Sequence, residues 1–152
     1  MANTLNRDFT EFIEALNNNQ VEYLLVGGYA VIFHGYNRTT GDLDVWVNAT
    51  SPNYIKLKKS FAEFGMSLFD MTEGKFLATD NYDVFSFGRP PVCIEILTAV
   101  KGLQFREAYA NSSLQKFDDV MISMIDIRDL ISAKKAANRH KDNDDLEHLE
   151  KV

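Results

Sequence analysis

Residues 22–47 read Glu22-Tyr23-Leu24-Leu25-Val26-Gly27-Gly28-Tyr29-Ala30-Val31-Ile32-Phe33-His34-Gly35-Tyr36-Asn37-Arg38-Thr39-Thr40-Gly41-Asp42-Leu43-Asp44-Val45-Trp46-Val47. Glu22 to Val26 is a short apolar run that stops abruptly at Gly27-Gly28, the mark of a buried strand entering a tight turn. A short helix over Tyr29 to His34 follows, with Gly35 as its stop. Asp42 to Val47 then alternates strictly, so Asp42 and Asp44 share one face of a strand while Leu43, Val45 and Val47 take the other. Two carboxylates held side by side repel each other by on the order of a few kcal/mol at an effective dielectric of about 20, and a divalent cation removes that cost.

The same alternation recurs in Cys93-Ile94-Glu95-Ile96-Leu97 and sets Glu95 among apolar neighbours. With this strand beside the first, Glu95 joins Asp42 and Asp44 in an all-oxygen set that suits Mg²⁺ or Mn²⁺. Such a set holds two ions about 4 Å apart and supports in-line phosphoryl or nucleotidyl transfer. The triplet alone is weak, because Asp142-Asn143-Asp144 repeats the spacing and an exposed strand edge looks the same. Its weight comes from the glycine pair about 14 residues upstream. Glycine lets backbone N–H groups approach a phosphate closely, beside a helix start that favours negative charge.

Further out, Leu5, Phe9, Phe12, Ile13 and Leu16 recur at helical spacing and predict a helix over about residues 5–18, ended by Asn17-Asn18-Asn19. Ser51 is placed to cap, and Pro52 to open, a helix over about Asn53 to Phe64. Ser67 to Val100 is rich in β formers, with Tyr82–Phe87 and Val92–Leu97 the best strands, separated by Gly88-Arg89-Pro90-Pro91. Gln104–Asn111 reads as a helix, Val120-Met121-Ile122 as a last strand, Ile125–Ala137 as a helix with Asp126 near its start, and Asp142–Leu149 as a final short helix. There is no repeat and no low-complexity tract.

The chain of 152 residues, 45% hydrophobic, fits one domain over residues 1–152, with a core over about 20–100 and a helical part over about 104–152. Its one cysteine, Cys93, excludes an intrachain disulfide and favours a reducing, cytoplasmic setting. Met1 to Arg7 carries no apolar run of signal length, and no stretch approaches the roughly 20 apolar residues of a membrane span. A formal charge of −6 argues against non-specific DNA binding, which depends on phosphate neutralisation.

Val26-Gly27-Gly28-Tyr29-Ala30, His34-Gly35 and Arg38 to Val45 together resemble the signature of the DNA polymerase β nucleotidyltransferase superfamily, and more narrowly its AbiEii-like and minimal members. Ile94-Glu95-Ile96-Leu97 matches the later strand carboxylate, and Lys134, Arg139 and Asp142 match the helical lysine-arginine-aspartate motif of AbiEii-like proteins. The resemblance implies a mixed α+β nucleotidyltransferase fold: a small mixed sheet, helices mainly on one face, and C-terminal helices. It also implies transfer of a nucleoside monophosphate from an NTP to an acceptor hydroxyl on protein or RNA, with Mg²⁺ or Mn²⁺ on Asp42, Asp44 and Glu95 as catalytic carboxylates. Gly27, Gly28, Arg38, Thr40, Lys134, Arg139 and Asp142 would bind the nucleotide, and a toxin–antitoxin or phage-defence partner would accompany the chain. Tyr29 stands where many active members carry serine, and Glu95 where aspartate is frequent.

Other classes are a non-catalytic nucleotide- or partner-binding member and a metal-dependent nuclease or phosphatase. The glycine turn fits triphosphate binding better than hydrolysis. His34 reads as a structural hydrogen-bonding residue, His140 and His148 as surface residues, Trp46 as buried against a helix, and Cys93 as a packing residue.

Overall fold

Tyr23–Val26 (β1) lies near the centre of a six-stranded mixed sheet in the computed structural model, which describes residues 5–89 and 92–151. The other strands are Asp42–Val47 (β2), Val84–Arg89 (β3), Val92–Leu97 (β4), Ser113–Phe117 (β5) and Val120–Met124 (β6), in the spatial order β3-β4-β2-β1-β6-β5. β2 runs antiparallel to β1 and parallel to β4, so Val26, Asp44 and Glu95 fall in one cross-strand row that ends on Ser86 of β3. Paired residues share a face. Leu43, Val45, Ile94, Ile96, Phe85 and Phe87 therefore form one buried apolar face, and Asp42, Asp44, Glu95 and Ser86 point to the other.

Arg7–Asn18 (α1) and Ser51–Phe64 (α3) cover the apolar face; Phe12 meets Phe61 edge-on at 5.6 Å and Phe61 meets Phe87 at 4.9 Å. Asn6 caps α1 by accepting the Asp8 N–H at 2.7 Å. α3 is capped by Thr50, not Ser51 as expected, so the helix starts one residue earlier. That offset turns Asn53 inward, where its amide accepts from Glu22 N–H at 2.8 Å and donates to the carbonyls of Glu22 and Asn48.

Gly27–Phe33 (α2) begins at the glycine pair itself, so the strand passes into helix without a separate turn. Two elements carry no clear sequence pattern. Glu73–Leu77 (α4) is one turn capped by Thr72 that buries Phe76 against Tyr54. β5 is a mostly exposed edge strand, joined to β6 through Asp118 at φ +52°. After Phe105–Asn111 (α5), β5 and β6 enter the sheet, so the expected helical part over about 104–152 contributes strands too, and β6 pairs with β1 in its centre. Ile127–Ala137 (α6), capped by Asp126, and His140–Leu149 (α7) complete the chain. Residues 1–4, Pro90 and Pro91, which carry part of the expected N-terminal and inter-strand readings, lie outside the described residues. Among the described residues no helix is long and apolar enough to cross a membrane.

Candidate active site

The β1-to-α2 junction lies directly on Asp44. Gly27 sits at φ +69°, and a Cβ there would fall on Asp44 Oδ2 and within 2.8 Å of Asp44 Cβ. A Cβ on Gly28 would come within 2.7 Å of Thr40 Cβ. Both glycines are thus required by close approach, the first also by its left-handed backbone. Gly27→Ala is expected to lower the unfolding free energy by about 1–3 kcal/mol; a denaturant titration showing wild-type stability would contradict this packing.

Asp44 and Glu95 face each other across β2 and β4. Burial first, then the Glu95 charge and a hydrogen bond between the two carboxyl groups, then Asp42, push Asp44 up to about 7, against the opposing pull of Lys134. Asp44 Oδ1 is buried and has no hydrogen-bond partner. Ser86 Oγ donates to Glu95 Oε2 at 3.3 Å. Asp42, one pair along the strand, is exposed at the start of β2, and no three acid, histidine or cysteine side chains among the described residues are closed into a metal-holding cluster.

A chain of ion pairs borders these acids. Arg38 grips Asp145 through Nε at 2.8 Å and Nη2 at 3.0 Å; Lys134 Nζ bridges Asp145 at 3.1 Å and Asp142 at 3.2 Å; Arg139 Nε binds Asp142 at 2.7 Å. The order is Arg38, Asp145, Lys134, Asp142, Arg139, with charges alternating from end to end. Lys134, Asp142 and Asp145 are buried, whereas Arg139 is more than half exposed. A pocket of about 560 Å³ is lined by Gly27, Gly28, Arg38, Thr40, the three strand acids and this network, with Leu97, Val100, Leu130 and Ala133 as its apolar wall.

The family described as nucleotidyl transferase of unknown function (DUF2204) matches residues 5–152. The chain belongs to that family. No curated protein matches its sequence. Its fold is similar to the crystal structure of the lincosamide antibiotic adenylyltransferase LnuA with lincomycin bound, at a TM-score of 0.58 and 14% identity over 97% of each chain. The expected mixed α+β nucleotidyltransferase fold is thus present, and the chain is a nucleotidyltransferase.

In this nucleotidyltransferase, every residue singled out from the sequence as a candidate site residue lines that pocket. The lysine-arginine-aspartate motif is not one helix, however. Asn138 at φ +50° ends α6, Arg139 is the N-cap of α7, and the break lets Lys134 and Arg139 reach Asp142 from two sides. Asp145 and Ser86 were not singled out. Asp142, Asp145, Leu146 and Leu149 form the buried stripe of α7 at helical spacing, and an acid at two of those four positions was the available signal for Asp145. His34 Nε2 donates to the Ile125 carbonyl at 2.8 Å, and Trp46 is buried edge-on to Phe105 of α5 at 5.2 Å.

Proposed function

We propose that this nucleotidyltransferase moves a nucleoside monophosphate from an NTP to an acceptor hydroxyl on protein or RNA, with Mg²⁺ or Mn²⁺ held by Asp42, Asp44 and Glu95. The observation that carries it is the buried, unpartnered Asp44 Oδ1 beside Glu95. A buried carboxylate oxygen without a donor is costly, and an all-oxygen set of like charges is matched by a hard divalent cation. When bound, such ions supply charge neutralisation and Lewis-acid polarisation of the phosphoryl oxygens.

The chain's own residues do the rest. Gly27 and Gly28 let Asp44 and Thr40 pack directly on the start of α2, where backbone N–H groups would meet the phosphates, and the exposed edge of Arg139 offsets triphosphate charge. Lys134 and Asp142, expected to bind the nucleotide, are buried against each other, which supports a part for them in holding Arg139 and the pocket wall in place. Glu95, fixed by Ser86, takes the acceptor's proton on its carboxylate. The narrower AbiEii-like affiliation, a toxin–antitoxin or defence partner and a cytoplasmic setting belong to the same proposal.

Incubation with each α-labelled NTP, Mn²⁺ or Mg²⁺, and protein, RNA and small hydroxylated acceptors tests it. Metal-dependent label transfer with pyrophosphate release is expected. Cleaved RNA in place of labelled product would support hydrolysis, and absence of transfer to any acceptor would favour a nucleotide- or partner-binding role.

A further inference from the structure

We propose that Asp145 is a positioning residue that sets the place of Asp42 by clamping the loop leading into β2 onto the C-terminal helix. Residues 35–41 carry Thr40, which packs against Gly28, and deliver the chain to Asp42. Gly41, the last residue before the strand, touches nothing on its Cβ side and provides no anchor. Among the described residues, two side chains of this loop hydrogen-bond to another element, and both end on α7: Tyr36 Oη donates to Asp144 at 2.6 Å, and Arg38 donates twice to Asp145.

The two tethers differ in kind. The Tyr36–Asp144 contact is exposed, with Asp144 more than half open to solvent. The Arg38–Asp145 pair is bidentate, its carboxylate is 2% exposed, and Lys134 holds that carboxylate from behind. A planar guanidinium gripped through two parallel N–H···O bonds is fixed in orientation as well as position, whereas Tyr36 adds to its exposed hydroxyl contact a ring stack on His148 of α7 at 3.7 Å, which Tyr36→Phe leaves in place. Arg38 Nη1 also donates to the Thr39 carbonyl at 3.0 Å, so the clamp reaches the backbone beside Thr40 directly. Asp145 thus acts through Arg38 on the segment that aims Asp42. Its bearing on catalysis rests on the carboxylate reading above; the clamp itself does not.

Hydrogen exchange of the metal-free protein reads the clamp without any activity. Asp145→Asn keeps the bulk and removes the charge, and is expected to speed exchange of the 37–42 amides about tenfold or more, whereas Tyr36→Phe changes them less than threefold. Arg38→Lys, which keeps a charge but loses the fork, carries the same test if Asp145→Asn does not fold. Mn²⁺ titration then reads the consequence: affinity falls about tenfold in either variant and no further in the double variant, because both break one pair. In turnover of Asp145→Asn, kcat falls about tenfold while KM for the NTP moves less than threefold. Unchanged exchange over 37–42, equal acceleration by Tyr36→Phe, or additive losses in the double variant overturn the assignment. A wild-type protein that binds no Mn²⁺ removes the proposed metal site instead, and exchange alone then decides the clamp.

Discussion

Asp44→Asn is expected to lower nucleotidyl transfer by about 10³-fold or more while making the metal-free protein more stable. The two effects share one cause. Asp44 is largely buried beside Glu95 and Asp42, so its charge is unfavourable until a cation meets it. In the unfolded chain the carboxyl loses its proton near 3.8, but in the folded protein only near about 7. Between about pH 4 and about pH 7 the folded state therefore binds more protons, and stability falls as pH rises through that window. The whole change is on the order of a few kcal/mol. Thermal melts in EDTA across this range should show wild type losing ground to Asp44→Asn toward pH 7, and Mn²⁺ should restore wild type alone. Parallel profiles for the two proteins would show that Asp44 carries no such strain.

Lys134→Met is expected to cost about 3–5 kcal/mol, the largest stability loss of any single change in the pocket, because it leaves two buried carboxylates without their shared cation. Arg38 and Arg139 still hold the outer sides of those acids, which places the loss toward about 3 kcal/mol. At roughly 2–4 °C per kcal/mol for a chain of this size, the melting temperature falls by about 10 °C. Lys135→Met is the matched control: its pair with Glu150 is exposed on both sides, and its loss costs about 1 kcal/mol or less. Burial pulls Asp142 upward, yet the Arg139 hydrogen bond and the Lys134 charge outweigh it and hold the carboxyl below its usual range. Its contribution is therefore present at neutral pH and lost as pH falls through that lowered value. A scan in which Lys134→Met and Lys135→Met melt together would refute the buried network.

Much of the fold was legible because strict alternation in 42–47 and 92–97 and the helical stripe of 5–18 are local patterns that the packed protein keeps. Their faces followed from the alternation alone, and the register of β2 on β4 then set Asp44 opposite Glu95. What escaped was decided at a distance. β5 is an edge strand with little buried surface, so its residues carry no apolar rhythm, and it exists through pairing with β6. The earlier start of α3 turns Asn53 inward to backbone groups of Asn48 nearby and of Glu22, 31 residues back along the chain, a contact no local pattern carries. Asp145 falls on the buried stripe of α7, but its partner Arg38 lies more than 100 residues earlier and no local pattern joins the two.

The central pairing of Leu25 with Met124 joins segments about 100 residues apart, so closing the sheet carries a large loop entropy and is slow compared with forming the β3–β4 hairpin. During synthesis the three strand acids are complete by residue 95, while of the three cations in the ion-pair network only Arg38 precedes them. The ion-pair network and the apolar wall that border these acids wait for α6 and α7. The acids are therefore in place on the sheet before the wall that faces them, and the pocket is complete only once the last two helices dock.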